Sequence, residues 1–267
     1  MNFLKRSKTR YILHRYGISH SLWLETLEKL TITHRLSAVE KAHLRELSTL
    51  FIYQKNFIGV EIEIDQAMKV LIAALACLPI LHLGNSLLAD WRDIVIYPSA
   101  FLVNRDETDE AGVVHHQQKV LSGEAWTRGP LIISWDDVLH DLQNPHQGHN
   151  VIIHELAHKL DMLNGRCNGM PPLHPNMSIT DWSQTLSEAY QQLHQRLDHH
   201  HRIRVNPYAA TNPAEFFAVF SEYFFSNPAV LSEHFSAVYQ QLQLYYRQNP
   251  TTSSYDLPLN SSASLIL

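Results

Sequence analysis

The alternation of apolar and polar positions predicts a helical first third, a middle stretch of short strands and a second helical part. The longest apolar run, Val70 to Leu83, is about 14 residues and contains Pro79 and His82. That reads as a buried helix, because a membrane span needs roughly 18 or more apolar residues. Upstream, residues 20–54 carry two helices, the second opened by the capping-box pattern Ser37-Ala-Val-Glu40 and continued by Leu44, Leu47, Leu50 and Phe51 at helical spacing. Phe57 to Ile64 is short and β-branched, and Asp65 is placed to cap a helix running to about residue 78. Residues 1–19 are basic and aromatic without a clear period, which fits either an arm against the body or a mobile end.

Asp93 to Tyr97 reads as a strand ending at Pro98, and Ala100 to Val103 continues it or pairs with it. A charged loop is expected at Asn104 to Glu110, then mixed alternation from Val113 to Leu121. Gly129-Pro130 introduces the strongest strand candidate, Leu131 to Trp135. A short amphipathic piece, Asp136 to Leu142, and a polar loop through His149 lead to Val151–Gly165. There Ile152, Leu156, Leu160 and Leu163 share one helical face, while His154, His158 and Asp161 share the opposite one. Asn150 is a natural N-cap and Asn164-Gly165 a natural stop. After an irregular loop to Thr180, a helix from Asp181 to about Asp198 carries Trp182, Leu186, Ala189, Leu193 and Leu197 on one stripe. The expected class is α+β, with a mainly helical lobe at 1–90, a second domain at 91–250 and a disordered tail at 251–267 rich in Ser, Thr and Asn.

Charge and cysteine usage narrow the function classes. A net charge of -5 with no dense Lys/Arg stripe gives no electrostatic footprint for nucleic acid. The only cysteines, Cys77 and Cys167, suggest neither a disulfide framework nor a thiolate metal site, so reduced thiols in the cytoplasm fit best. The basic N-terminus (Lys5, Arg6, Lys8, Arg10, Arg15) is not followed by the apolar segment of a secretory signal.

The chemistry concentrates in Val151–Gly165, which holds the order His154-Glu155-x-x-His158. Residues four apart on a helix lie one above the other, roughly 5–6 Å apart at Cβ, so both imidazoles can reach one ion while Glu155 projects beside them. Chance supplies this pattern in so His-rich a chain about 6% of the time, so the motif needs its helical context, and the caps and apolar face provide it. A catalytic zinc usually keeps three protein ligands and a water. The third is sought in the helix that Asn212-Pro213 opens, which is apolar nearly all round, so its carboxylates Glu215 and Glu222 are costly unless paired or metal-bound. Glu215 is favoured as ligand over a role closing a capping box on Asn212; Glu222, two turns on, is the alternative ligand or the partner of an imidazole N–H. Asp161 is placed behind the ligands, because its short side chain would struggle to share one ion with both histidines. His199-His200-His201 and His115-His116 read as solvated positions, since adjacent residues do not face one another. Tyr208 is either an aromatic packing under the helix start or a hydroxyl donor to an oxyanion.

The stretches DIVIYP (93–98), VLSGEAW (120–126), GPLIISW (129–135), VIIHELAHKLDMLNG (151–165) and YAATNPAEFFAVFSEYFF (208–225) together resemble the Mlc titration factor A family of bacterial zinc metallopeptidases, which are related to the catalytic domain of anthrax lethal factor. The resemblance covers most of the chain; the N-terminal arm and the residues after Pro250 look less like the family. It implies a zincin-like catalytic domain, one Zn2+ held by His154, His158 and Glu215, Glu155 as catalytic base and Tyr208 near the metal. The implied activity is aminopeptidase-type hydrolysis of peptides. The implied alternative is regulation, since family members are similar to a factor that sequesters a glucose-responsive, Mlc-like transcriptional repressor. By analogy with zincins, strand Leu131–Trp135 is expected to hold an extended peptide by β-augmentation.

Overall fold

Local caps fix where the N-terminal helices begin. The computed structural model describes residues 3–99, 101–108, 114–121, 123–125, 129–200 and 203–251. The basic N-terminal stretch forms helix α1 (Phe3–Tyr16), which packs on α3; of side chains 6–16 only Ile12 is buried, which is why no amphipathic period was legible. Ser19 caps α2 (His20–Lys29). Ser37 and Glu40 close a reciprocal box on α3 (Ala38–Gln54), Glu40 N–H donating to Ser37 Oγ at 3.2 Å and Ser37 N–H to Glu40 Oε2 at 2.9 Å. Asp65 Oδ1 accepts from Met68 N–H at 2.7 Å at the start of α4 (Gln66–Cys77), whose residues Val70 to Cys77 are all buried.

β1 (Asn56–Gly59), β2 (Asp93–Tyr97) and β6 (Leu131–Ser134) are parallel neighbours, and β5 (Gly123–Ala125) runs antiparallel along the outer side of β6. The register pairs Ile94 with Leu131 and Ile96 with Ile133, so alternate residues of both strands enter the core. β3 (Phe101–Thr108) and β4 (Val114–Leu121) form a separate antiparallel pair. The charged loop expected from Asn104 is therefore strand as far as Thr108: backbone pairing of Asn104 with Gln118 and Asp106 with His116 overrides the local polarity. The sheet order also corrects the expectation for Leu131–Trp135. β6 is flanked on both sides and offers no free edge, while β5 is the strand at the border; Trp135 already belongs to α5 (Trp135–Gln143).

α6 (Val151–Asp161) packs against α4 on one side and α8 (Pro213–Ser226) on the other, with α7 (Ile179–Asp198), α9 (Pro228–His234) and α10 (Ser236–Tyr246) completing the wall. One apolar cluster runs from Trp23 and Leu44 through α4, the sheet and α6 to Phe217 and Tyr246. α8 is buried along nearly its whole length, and Phe216, Phe217, Phe220, Phe224 and Phe225 each contribute about 1.5–3 kcal/mol of burial there. This packing holds α6 and α8 rigidly side by side, an α+β arrangement in which the helices carry the chemistry. None of the described helices is long and apolar enough to cross a membrane. From residue 252 the expected tail lies outside the described residues, as do Ser122 and Trp126 of the stretch 120–126.

Candidate metal centre

α6 begins where Asn150 Oδ1 accepts from Ile153 N–H at 3.0 Å, continues as a 3-10 turn after Asp161, and stops at Gly165 with φ +85°. Ile152, Ile153, Leu156 and Leu160 face the core, which turns His154 and His158 toward α8 with ring centroids 4.8 Å apart. α8 begins where Asn212 Oδ1 accepts from Glu215 N–H at 3.0 Å, with Pro213 in its first turn. The backbone of Glu215 is thus held by the cap while its carboxylate reaches α6. Glu215 Oε2 lies 3.1 Å from His154 Nε2 and 3.2 Å from His158 Nε2, and the two nitrogens are 3.1 Å apart. Zinc–ligand bonds of about 2.0–2.1 Å in a tetrahedron put neighbouring ligand atoms about 3.3 Å apart, so this triangle matches the donor set and nearly the spacing of such an ion. Among the described residues, these three form the group of His, Cys, Asp or Glu side chains that can hold a metal ion.

The electrostatics favour a cation at that point. Burial works to raise the Glu215 carboxyl, but the hydrogen bonds and charges of His154 and His158 outweigh it and hold the group well below the usual carboxylate range. Burial works to lower His154, and the charge of Glu222 with hydrogen bonds to Glu215 and Glu222 lifts it well above the usual imidazole range. Carboxylates on both sides of His154 therefore draw in positive charge, a proton or a metal.

Glu155 is 2% exposed, and burial lifts its carboxyl to about 7 against the lowering charges of His154 and His158. Its Oε2 is buried with no hydrogen-bond partner in the protein, which is the state of an acceptor directed at something outside the chain. Tyr208 sits in a 3-10 turn, Pro207–Ala210, half exposed, its ring 6.2 Å from that of His154. Burial, then the charge and hydrogen bond of Glu215, push its hydroxyl up to about 12, so it stays a donor at neutral pH.

Of the other candidates, Glu222 Oε1 accepts from His154 Nδ1 at 2.7 Å and its Oε2 from Asn150 N–H at 2.6 Å, which places it behind the histidine. Asp161 Oδ2 accepts from Gly169 N–H at 2.7 Å and ties the loop after α6 to the helix. In that loop Cys167 brings its sulfur 3.7 Å from His158 Nδ1. His199 is the C-cap of α7 and His200 follows it; neither belongs to the group that can hold a metal ion, and His201 lies outside the described residues. Two residues that the sequence did not single out, Asp141 and His149, stand behind Glu222, His149 Nδ1 meeting Asp141 Oδ1 at 2.5 Å. A signal was present: Asp141 shares the buried face of α5 with Val138, and an acid on an apolar face asks for a partner.

Comparison with known proteins places the chain in a family of metallopeptidases. The family described as glucose-regulated metallo-peptidase M90 matches residues 3–247. A protein named Mlc titration factor A from Salmonella arizonae is 38% identical over 234 residues, covering 86% of this chain and 92% of its own. Proteins of the same name are 40% identical over 220 residues in Salmonella agona (81% and 82% covered) and 36% identical over 245 residues in Escherichia fergusonii (90% and 91% covered).

Proposed function

We propose, because this chain belongs to the glucose-regulated metallo-peptidase M90 family, that it hydrolyses peptide bonds with one zinc ion held by His154, His158 and Glu215. The observation that carries this reading is the convergence of two imidazole nitrogens and one carboxylate oxygen within 3.1–3.2 Å of one another, beside the unpartnered oxygen of Glu155. Zinc at that point supplies a Lewis acid that acidifies a water towards about pH 7 and polarises a carbonyl. Glu155, whose Oε2 has no partner in the protein, would take the water's proton and deliver it to the leaving amine. The Tyr208 hydroxyl donates to the oxyanion that develops on the scissile carbonyl. Glu222 accepts from His154 Nδ1 and so keeps Nε2 turned toward Glu215. No covalent intermediate is needed. The zincin-like catalytic part is read as residues 91–250 beside the helical first 90, and an extended substrate would align along β5, the border strand next to α6. The reduced cysteines suit the cytoplasm.

The test is a panel of short peptides with free and acetylated N-termini, assayed before and after exhaustive chelation and after zinc is restored. Aminopeptidase-type action requires cleavage of the free series alone. Full turnover in chelated protein would overturn the zinc mechanism.

A second reading is favoured by the name of the relatives: this chain binds an Mlc-like transcriptional repressor, with hydrolysis secondary. A pure binder has no use for a buried general base, so the state of Glu155 supports the enzyme as the first reading.

A further inference from the structure

The polar layer behind His154 is deeper than one carboxylate. Glu222, 2% exposed, lies at the N-terminus of α6 between His154 Nδ1 and the backbone N–H of Asn150. Asp141, also buried, accepts from Val151 N–H at 2.8 Å through Oδ2 and meets His149 Nδ1 at 2.5 Å through Oδ1. His149 Nε2 is in turn 3.8 Å from Glu222 Oε2. Two buried carboxylates thus share the first turn of α6 with a single imidazole between them. Like charges held that close disfavour each other. The positive end of the helix offsets part of the cost. A protonated His149 offsets more: its hydrogen bond to Asp141, against the lowering effect of burial, pushes it up to about 9.

Helix capping does not need this imidazole. Asp141 and Asn150 accept the N–H groups of Val151 and Ile153 in the first turn of α6, Glu222 accepts that of the cap residue Asn150, and among the described residues His149 meets only the two carboxylates. We propose that His149 is a positioning residue of the metal centre: anchored by Asp141 and packed 3.8 Å from Glu222 Oε2, it holds that carboxylate against His154 Nδ1 and so keeps His154 Nε2 turned toward the metal position. The chain of contacts runs Asp141, His149, Glu222, His154, four side chains from three helices, α5, α8 and α6, and the loop that joins α5 to α6. This rests on the reading of His154 as a ligand.

The His149 side chain is 43% exposed, so its replacement opens no cavity in the apolar core. Zinc affinity of the full chain is measured by competition with a chromogenic chelator for wild type, His149→Asn, His149→Phe and, as a surface control, His146→Gln. Both His149 variants should bind zinc about 10- to 100-fold more weakly, the range for outer partners of metal-bound histidines, with the control unchanged. A second readout needs no metal: the Nδ1 proton resonance of His154 in chelated protein reports its hydrogen bond to Glu222, and should move in the His149 variants but not in the control. Wild-type affinity and an unmoved resonance in both His149 variants would overturn the role of His149 while leaving the zinc reading standing. Failure of wild type to bind zinc would remove both.

Discussion

Glu155 and Glu215 are the same chemical group in opposite settings. Burial lifts Glu155 to about 7; Glu215 is drawn well below its usual range by two imidazoles that outweigh its burial. The first is suited to carry a proton, the second to hold a cation. Glu155→Gln should therefore keep about one zinc per chain and lower kcat by about 10²- to 10⁴-fold, the range for a general base. Glu215→Ala should lose zinc affinity itself; tight zinc binding by that variant, with loss in Glu222→Ala instead, would reverse the assignment. Tyr208→Phe should lower kcat by about 10²- to 10³-fold at unchanged zinc content, and an unchanged kcat would return Tyr208 to packing. The raised Glu155 also makes a statement about stability in the metal-free protein. Between 4.5, the ordinary carboxylate value, and about 7 the folded state holds a proton that the unfolded chain has released, so this contribution is full below 4.5 and is lost as pH rises through 7. In chelator, the unfolding free energy of wild type relative to Glu155→Gln should fall across that window; a difference that stays constant with pH would contradict the burial argument.

Elements whose signals are local were legible, and those fixed by distant partners were not. Ser37 with Glu40, Asp65, Asn150 and Asn212 each announce a helix start because the cap and the N–H it accepts are three residues apart. The polar strand β3 gave no such sign, since its pairing with β4 is set across the ladder. Nor does the period of Leu131–Ser134 reveal that β5 closes its outer side. At the centre, the helical spacing of His154 and His158 was visible, while the meeting of His149 with Asp141 and Glu222 depends on how α5 and α8 pack around α6. The loop after α6 supplies a test at this scale. Gly165 and Gly169 both have positive φ, +85° and +75°, but a Cβ at Gly165 meets nothing within 4 Å, whereas at Gly169 it would lie 2.4 Å from the carbonyl oxygen of Pro213. Gly165→Ala should cost about 1–2 kcal/mol from the left-handed backbone alone. Gly169→Ala should cost more, because the loop tied to Asp161 must lift away from the start of α8. Equal urea midpoints for the two variants would show that this contact does not hold the loop.

For the molecule as a whole, α6 and α8 are locked by one continuous core, so the three converging side chains are presented by rigid helices. If the chain also binds a repressor, a stable interface needs roughly 800 Å² per partner, far more than the few atoms of the metal centre. Glu155→Gln should then bind a purified repressor with near wild-type affinity in isothermal titration; binding lost together with catalysis would mean one shared surface. The most direct measurement of the zinc mechanism is a titration of exhaustively chelated chain with zinc, recording bound metal and peptide hydrolysis in the same samples. Hydrolysis should be absent at the start, rise in proportion to bound zinc and level off at about one ion per chain, while Glu155→Gln takes up the same ion and stays inactive. Turnover that persists without metal, or zinc uptake that survives loss of His154, His158 and Glu215 together, would contradict it.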